Sequence, residues 1–210
     1  MCFSAKLSIT SFLVGIVSSI LLIKFGNKES KKTNIIIGCF FIFVSIMQLI
    51  EYLMWKDLEC NKGLNNIATK LGQLFNHLQP IVLFILGYIY YDKDIINDNI
   101  LIIFNLIYFM YVIKKYNPNL TCTSVNKFYH LDWEWKYNFD YNIYHFIMFI
   151  NILQFIKNKN IIMSILISYI ILYLNIKNNN NNNNGELWCF SVTSIPLVNL
   201  FMQKILKINN

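Results

Sequence analysis

Seven apolar runs divide the chain, at 7–23, 35–55, 71–91, 95–113, 141–156, 161–176 and 187–202. Each comes near the roughly 17 to 25 residues that a helix needs to cross about 30 Å of hydrocarbon. The pattern predicts an all-α, polytopic transmembrane bundle of about seven helices, forming a single domain over 1–210. The last three runs are short and the first is rich in Ser, so six spans plus one re-entrant helix is the alternative. The first run outlasts a typical signal-peptide core and no small-residue cleavage site follows it, so it is read as a helix. Between the runs lie Lys-bearing turns, a polar loop at 114–140, and a low-complexity loop at 177–185 whose Asn tract cannot build a core.

Alternating helices collect the N-terminus, the 56–70 loop, the 114–140 loop and the Asn loop at one end, the N-terminal face. Most ionisable and strongly polar side chains within the runs are expected near that face. Glu51 lies about 6 Å below Trp55, His77 about 9 Å below Leu71 and His145 about 6 Å below Tyr141, while Glu186, Trp188 and Cys189 open the last run. Gln48, Glu51 and Trp55 recur at i, i+3 and i+7, and Gln73, Asn76, His77 and Pro80 at i, i+3, i+4 and i+7, so each set shares a helical stripe. These spacings predict a pocket lined by Gln48, Glu51, Trp55, Asn76, His77, His145, Glu186 and Trp188. Pro80 also leaves the Asn76 carbonyl without its helical donor.

A charge in hydrocarbon is costly unless it is paired or functional. Glu51 is therefore expected to stay protonated or to meet His77. The favoured reading is a receptor-like or transport protein that binds a small polar ligand or a proton. A second is an intramembrane hydrolase with Glu51 and His77 as its acid and base. The third is interhelical hydrogen bonding alone, at about 0.6 kcal/mol per contact. His77, His145 and Glu51, with His130 as a further donor, could hold zinc and leave a position open for water. No HExxH, paired CxxC or HxxxH spacing specifies that metal. The chain shares seven-helix architecture with intramembrane zinc hydrolases of the alkaline ceramidase type, and has Ser4 and three His, but lacks their HxxxH pair and a matching Asp.

Composition narrows the field. The chain is 56% hydrophobic and only 14% charged, outside the usual range of soluble domains. Its net charge of +7 comes from Lys alone. A nucleic-acid reader would carry Arg and concentrate its charge on one surface, so nucleic acid is excluded as a partner and the lipid bilayer is the expected one. Lysines in short segments of the opposite face, among them Lys24, Lys28, Lys31, Lys32, Lys157 and Lys159, make that face cytoplasmic and the N-terminus lumenal. Cys2, Cys60, Cys122 and Cys189 fall at the N-terminal face, where an oxidising lumen permits disulfides. Cys60 and Cys122 are expected to bridge two loops, and Cys2 to approach Cys189. The Asn119-Leu120-Thr121 sequon lies at the same face. No Lys sits mid-way along the last run for a retinal Schiff base, and no Gly-rich phosphate loop is present. Trp133 and Trp135 are predicted to be interfacial anchors.

Four segments carry a resemblance: Met1-Cys2-Phe3-Ser4-Ala5, Gln48-Leu49-Ile50-Glu51-Tyr52 with Trp55, Asn76-His77-Leu78-Gln79-Pro80, and Glu186-Leu187-Trp188-Cys189. Together they resemble multi-pass membrane proteins of large, mimivirus-like DNA viruses of protists, and bacterial membrane proteins with the same MCFSA start. The resemblance implies a viral or bacterial protein of a host endomembrane or virion membrane. It implies no reaction, because that family has no assigned activity.

Overall fold

A computed structural model describes residues 4–91, 98–126, 130–178 and 192–205. Among them are seven helices: α1 (Ala5–Phe25), α2 (Lys31–Trp55), α3 (Leu64–Tyr90), α4 (Asp98–Lys115), α5 (Tyr141–Leu153), α6 (Lys159–Asn178) and α7 (Ile195–Ile205). A two-residue antiparallel ladder, β1 (Ser124–Val125) with β2 (Leu131–Asp132), sets Ser124 opposite Asp132. The chain is thus mostly helical, as its periodicity predicts.

Side-chain neighbours fix the helix directions. Gly15 faces Ser45 while Gly38 faces Ser19 and Ile23, so α1 and α2 are antiparallel. Phe43 stacks on Phe75, and Met54 lies by Gly72, so α3 runs back along α2. Asn105 meets Asn151 and Tyr111 meets Asp140, which makes α4 and α5 antiparallel. Ser18 bonds Thr193 and Asn27 bonds Gln203, so α7 runs parallel to α1 and begins part-way along it. The N-terminus of α1 therefore lies at the same end as the α2–α3 turn.

Local signals start and stop these helices. The Ser4 hydroxyl caps α1 by accepting from Leu7 N at 3.3 Å, and the Asp140 carboxylate caps α5 by accepting from Asn142 N at 2.8 Å. The α2–α3 turn needs two left-handed residues, Cys60 (φ 63°) and Gly63 (φ 73°).

Among the described residues, Ala5–Phe25 and Lys28–Trp55 are long and apolar enough to cross a bilayer, with mean hydropathies of 2.0 and 2.2. The remaining runs differ from the expected spans for identifiable reasons. Helix α3 begins at Leu64, seven residues before the predicted 71, because Asn65 and Thr69 bury their polar groups against Thr123 instead of entering a loop. Helix α4 carries Asp98, Lys114 and Lys115 within its 18 residues. Helices α5 and α7 have 13 and 11 residues, about 20 and 16 Å at 1.5 Å per residue. The predicted run at 187–202 is described only from 192 onward, and the tract at 179–184 lies outside the described residues.

Helix α1 turns a small, polar face inward and an apolar face outward. Helix α1 buries Ser8, Ser11, Gly15, Ser18 and Ser19, and exposes Leu13, Val14, Val17 and Ile20. A Cβ on Gly15 would fall on the Ser45 side chain, so this small-residue stripe lets α1 and α2 approach closely. One apolar cluster joins the helices around Leu22, Phe41, Val44, Tyr108, Ile147 and Phe155. A second lies under the 114–140 loop, where Met47, Ile50, Met54, Ala68, Trp133 and Trp135 pack together. Trp133 and Trp135 stack at 4.9 Å and are buried. They are the core of a folded cap and not interfacial anchors, because the β1–β2 ladder and the following 3₁₀ turn fold Trp135 onto Gly72 with Trp133 stacked against it.

Candidate functional site

The α2 stripe places Gln48 and Glu51 against the second cluster. Both are wholly buried, and Gln48 Nε2 donates to Glu51 Oε2 at 2.7 Å. Trp55, one turn on, is half-buried at the cluster's edge, with no acceptor for its indole N–H. On α3, Gln73, Asn76 and His77 are buried, and Gln73 Oε1 accepts from Asn117 N at 3.2 Å.

His77 makes no hydrogen bond to Glu51. Its ring stacks on Phe139 with centroids 3.6 Å apart, with Tyr141 and Tyr144 at 5.8 and 6.1 Å. Neither ring nitrogen has a hydrogen-bond partner among the described residues. The segment before α5 inserts Phe139 beside α3, so the imidazole packs among aromatic rings. The expected acid–base pair is therefore not formed. Nor is the region an open pocket, since Glu51 is 0% and His77 1% exposed.

His145 separates from the group altogether. The inward stripe of α5 is Tyr144, Ile147, Met148 and Asn151, which leaves His145 on the exposed side, 6.3 Å from the Tyr169 ring. Among the described residues no three His, Cys, Asp or Glu side chains come together to hold a metal, so the zinc set of His77, His145 and Glu51 is not assembled. His130 belongs to the cap, where its backbone N–H donates to Asn126 Oδ1. Burial holds the His130 pKa below its ordinary value. Cys2, Glu186, Trp188 and Cys189 lie outside the described residues.

The cap is pinned to the helices by covalent and polar links. Cys60 and Cys122 form a disulfide with Cα atoms 6.2 Å apart. Asn65 Nδ2 donates to Thr123 O at 2.8 Å while Thr123 N donates to Asn65 Oδ1 at 2.9 Å, so one amide completes a backbone pair. Partial burial works to raise the Asp57 pKa, but backbone N–H groups of Lys62, Asn65, Leu64 and Asn61 outweigh it and hold the carboxyl below its ordinary value.

Buried polar groups are not confined to this end, contrary to the depth-based expectation. At mid-height Asn105 and Asn151 exchange reciprocal amide bonds of 2.8 and 2.9 Å, and Asn151 Nδ2 also donates to Pro80 O at 2.9 Å. At the far end Gln203 Nε2 donates to Asn34 Oδ1 at 2.7 Å and to Asn199 Oδ1 at 3.0 Å. Asn158 Nδ2 donates to Thr33 Oγ1 at 2.7 Å. Sequence reasoning passed over these residues because an Asn-rich composition hides which asparagines face inward. Their placement opposite Pro80, Thr33 and the α7 amides is a tertiary fact.

No family model matches the chain, and neither a curated protein nor a solved structure matches it.

Proposed function

We propose that this chain is a multi-pass integral membrane protein whose interior carboxyl, Glu51, binds a proton in a transport or receptor role. The membrane part is supported by the outward apolar surface: Leu, Ile and Phe side chains are exposed on α1, α4, α5, α6 and α7, while Ser, Asn and Gln are buried beside the apolar core. An exposed apolar surface of that extent is not sustained by water-soluble monomers. Bundles in lipid instead use small residues and amide contacts between helices. The Cys60–Cys122 bridge supports an oxidising compartment for the cap. The lysine-bearing α1–α2 and α5–α6 turns then face the cytoplasm.

The site rests on one observation: a carboxyl fully enclosed on one of the two described helices that are long and apolar enough to cross a bilayer, with Gln48 as its donor. Interior ionisable groups in membrane helices mark proton and ion paths. The amide networks at mid-height and at the far end serve helix association, since they bond one helix to another. Infrared difference spectroscopy on protein in lipid tests the role of Glu51. A carboxyl C=O band that responds to bulk pH and vanishes in Glu51→Gln is expected. A spectrum identical in the wild type and the variant would defeat the proposal.

A further inference from the structure

At the cap end of α4 a recess of about 370 Å³ opens between the helix and the segment before α5, lined by Lys114, Lys115, Tyr116, Asn117 and Asn138. Both lysines are exposed and lack an ion pair among the described residues. Elsewhere in the cap, Asp132 pairs with Lys136, Asp57 accepts from the backbone of its own turn, and Asp140 accepts from Asn142 N at the start of α5. Asn117 Oδ1 accepts from Asn119 N, and its side-chain amide retains N–H donors. The recess therefore offers ammonium and amide donors and calls for an anion with several acceptor oxygens.

Directly below it runs an apolar stripe. Ile103, Leu106, Ile107, Met110 and Ile113 recur at helical spacing and are 52–64% exposed. Lys114 continues this stripe, two turns beyond Ile107. From Ile103 to Ile113 the helix rises about 15 Å, half the thickness of a hydrocarbon core of about 30 Å.

We propose that this is a phospholipid site: the phosphate of an anionic headgroup enters the Lys114–Lys115 recess and an acyl chain lies along the α4 stripe. The inference rests on the membrane reading above and commits to a lipid, because the donors and the apolar track are contiguous on one helix. A free phosphate would use only the recess.

The test is lipid retention by the full-length chain, purified in mild detergent and measured by native mass spectrometry with phosphatidylglycerol, phosphatidylcholine and inorganic phosphate as separate probes. Phosphatidylglycerol is expected to bind at least about tenfold more tightly than phosphatidylcholine. Lys114→Gln/Lys115→Gln should erase that preference, whereas Lys56→Gln/Lys62→Gln, which removes equal charge at the same end, should keep it. Ile107→Ser/Met110→Ser should weaken phosphatidylglycerol several-fold. Equal retention of both lipids, an unchanged Lys114/Lys115 variant, or inorganic phosphate binding as tightly as the lipid would each overturn the site. Alkaline carbonate extraction separates the two failures. A chain that stays in the membrane without lipid preference refutes only the site, while a chain released by carbonate refutes the membrane reading itself.

Discussion

Replacing Asn151 with Leu, nearly its equal in shape, removes three buried hydrogen bonds: the two reciprocal bonds with Asn105 and the one to Pro80 O. At about 0.6 kcal/mol for each such bond between membrane helices, the loss comes to about 2 kcal/mol. Asn105→Leu also removes three, the same reciprocal pair and the bond to Leu101 O. The double variant removes four distinct bonds, not six, so two bonds are counted twice by the single variants. A double-mutant cycle should therefore give a coupling energy of about 1 kcal/mol. Reversible unfolding in mixed micelles, followed by far-UV circular dichroism, measures all four corners. Additivity within about 0.3 kcal/mol would show that the two amides do not bond, and with it the account of how α3, α4 and α5 are held together would fail.

Three other outcomes follow from the cap and its contacts. Cys60→Ser/Cys122→Ser opens a loop spanning a sequence separation of 62, for which chain entropy gives about 4 kcal/mol in a fully unfolding reference; a thermal melt under oxidising conditions should fall, and the variant should no longer respond to reductant. A Cβ at Gly72 would lie 2.6 Å from Trp135 Cη2 and 3.2 Å from Met54 Cε, so Gly72→Ala should cost about 1–3 kcal/mol and alter the near-UV dichroism of the tryptophans, an effect that Trp135→Phe should partly relieve. Burial depresses the His130 pKa below its ordinary 6.5, so the unfolded cap binds the proton first; the stability that His130 lends is complete above that value and declines as pH falls through and below it. Protection factors over 116–126, corrected for the intrinsic pH dependence of amide exchange, should fall on acidification, and His130→Asn should flatten that response.

The mostly helical character of the chain was legible in the sequence because apolar segmentation depends on composition over some twenty residues. The burial of Gln48 and Glu51 was legible too, since i and i+3 positions share a stripe whatever the tertiary arrangement. What lay beyond reach was rotation and insertion. Depth alone placed His145 beside Glu51, but the rotation of α5 is set by Tyr144, Ile147 and Asn151 packing inward, which sends His145 out. His77 was lost to Glu51 through Phe139, a residue of the connecting segment that no helical period could assign to the core. Trp133 and Trp135 read as membrane-surface residues because aromatic loops often are; the two-residue β ladder that buries them is too short to leave a periodic signal.

The central claim is that these helices cross a bilayer, with the disulfide-pinned cap on one side and the α1–α2 and α5–α6 turns on the other. Single cysteines at Lys62, Asn119, Lys28 and Lys157, in a chain whose own cysteines are replaced, can be probed in sealed microsomes with a membrane-impermeant maleimide. The account predicts that Lys28 and Lys157 positions react in intact vesicles, and that Lys62 and Asn119 positions react only after permeabilisation. Equal reaction at all four positions before permeabilisation would contradict it.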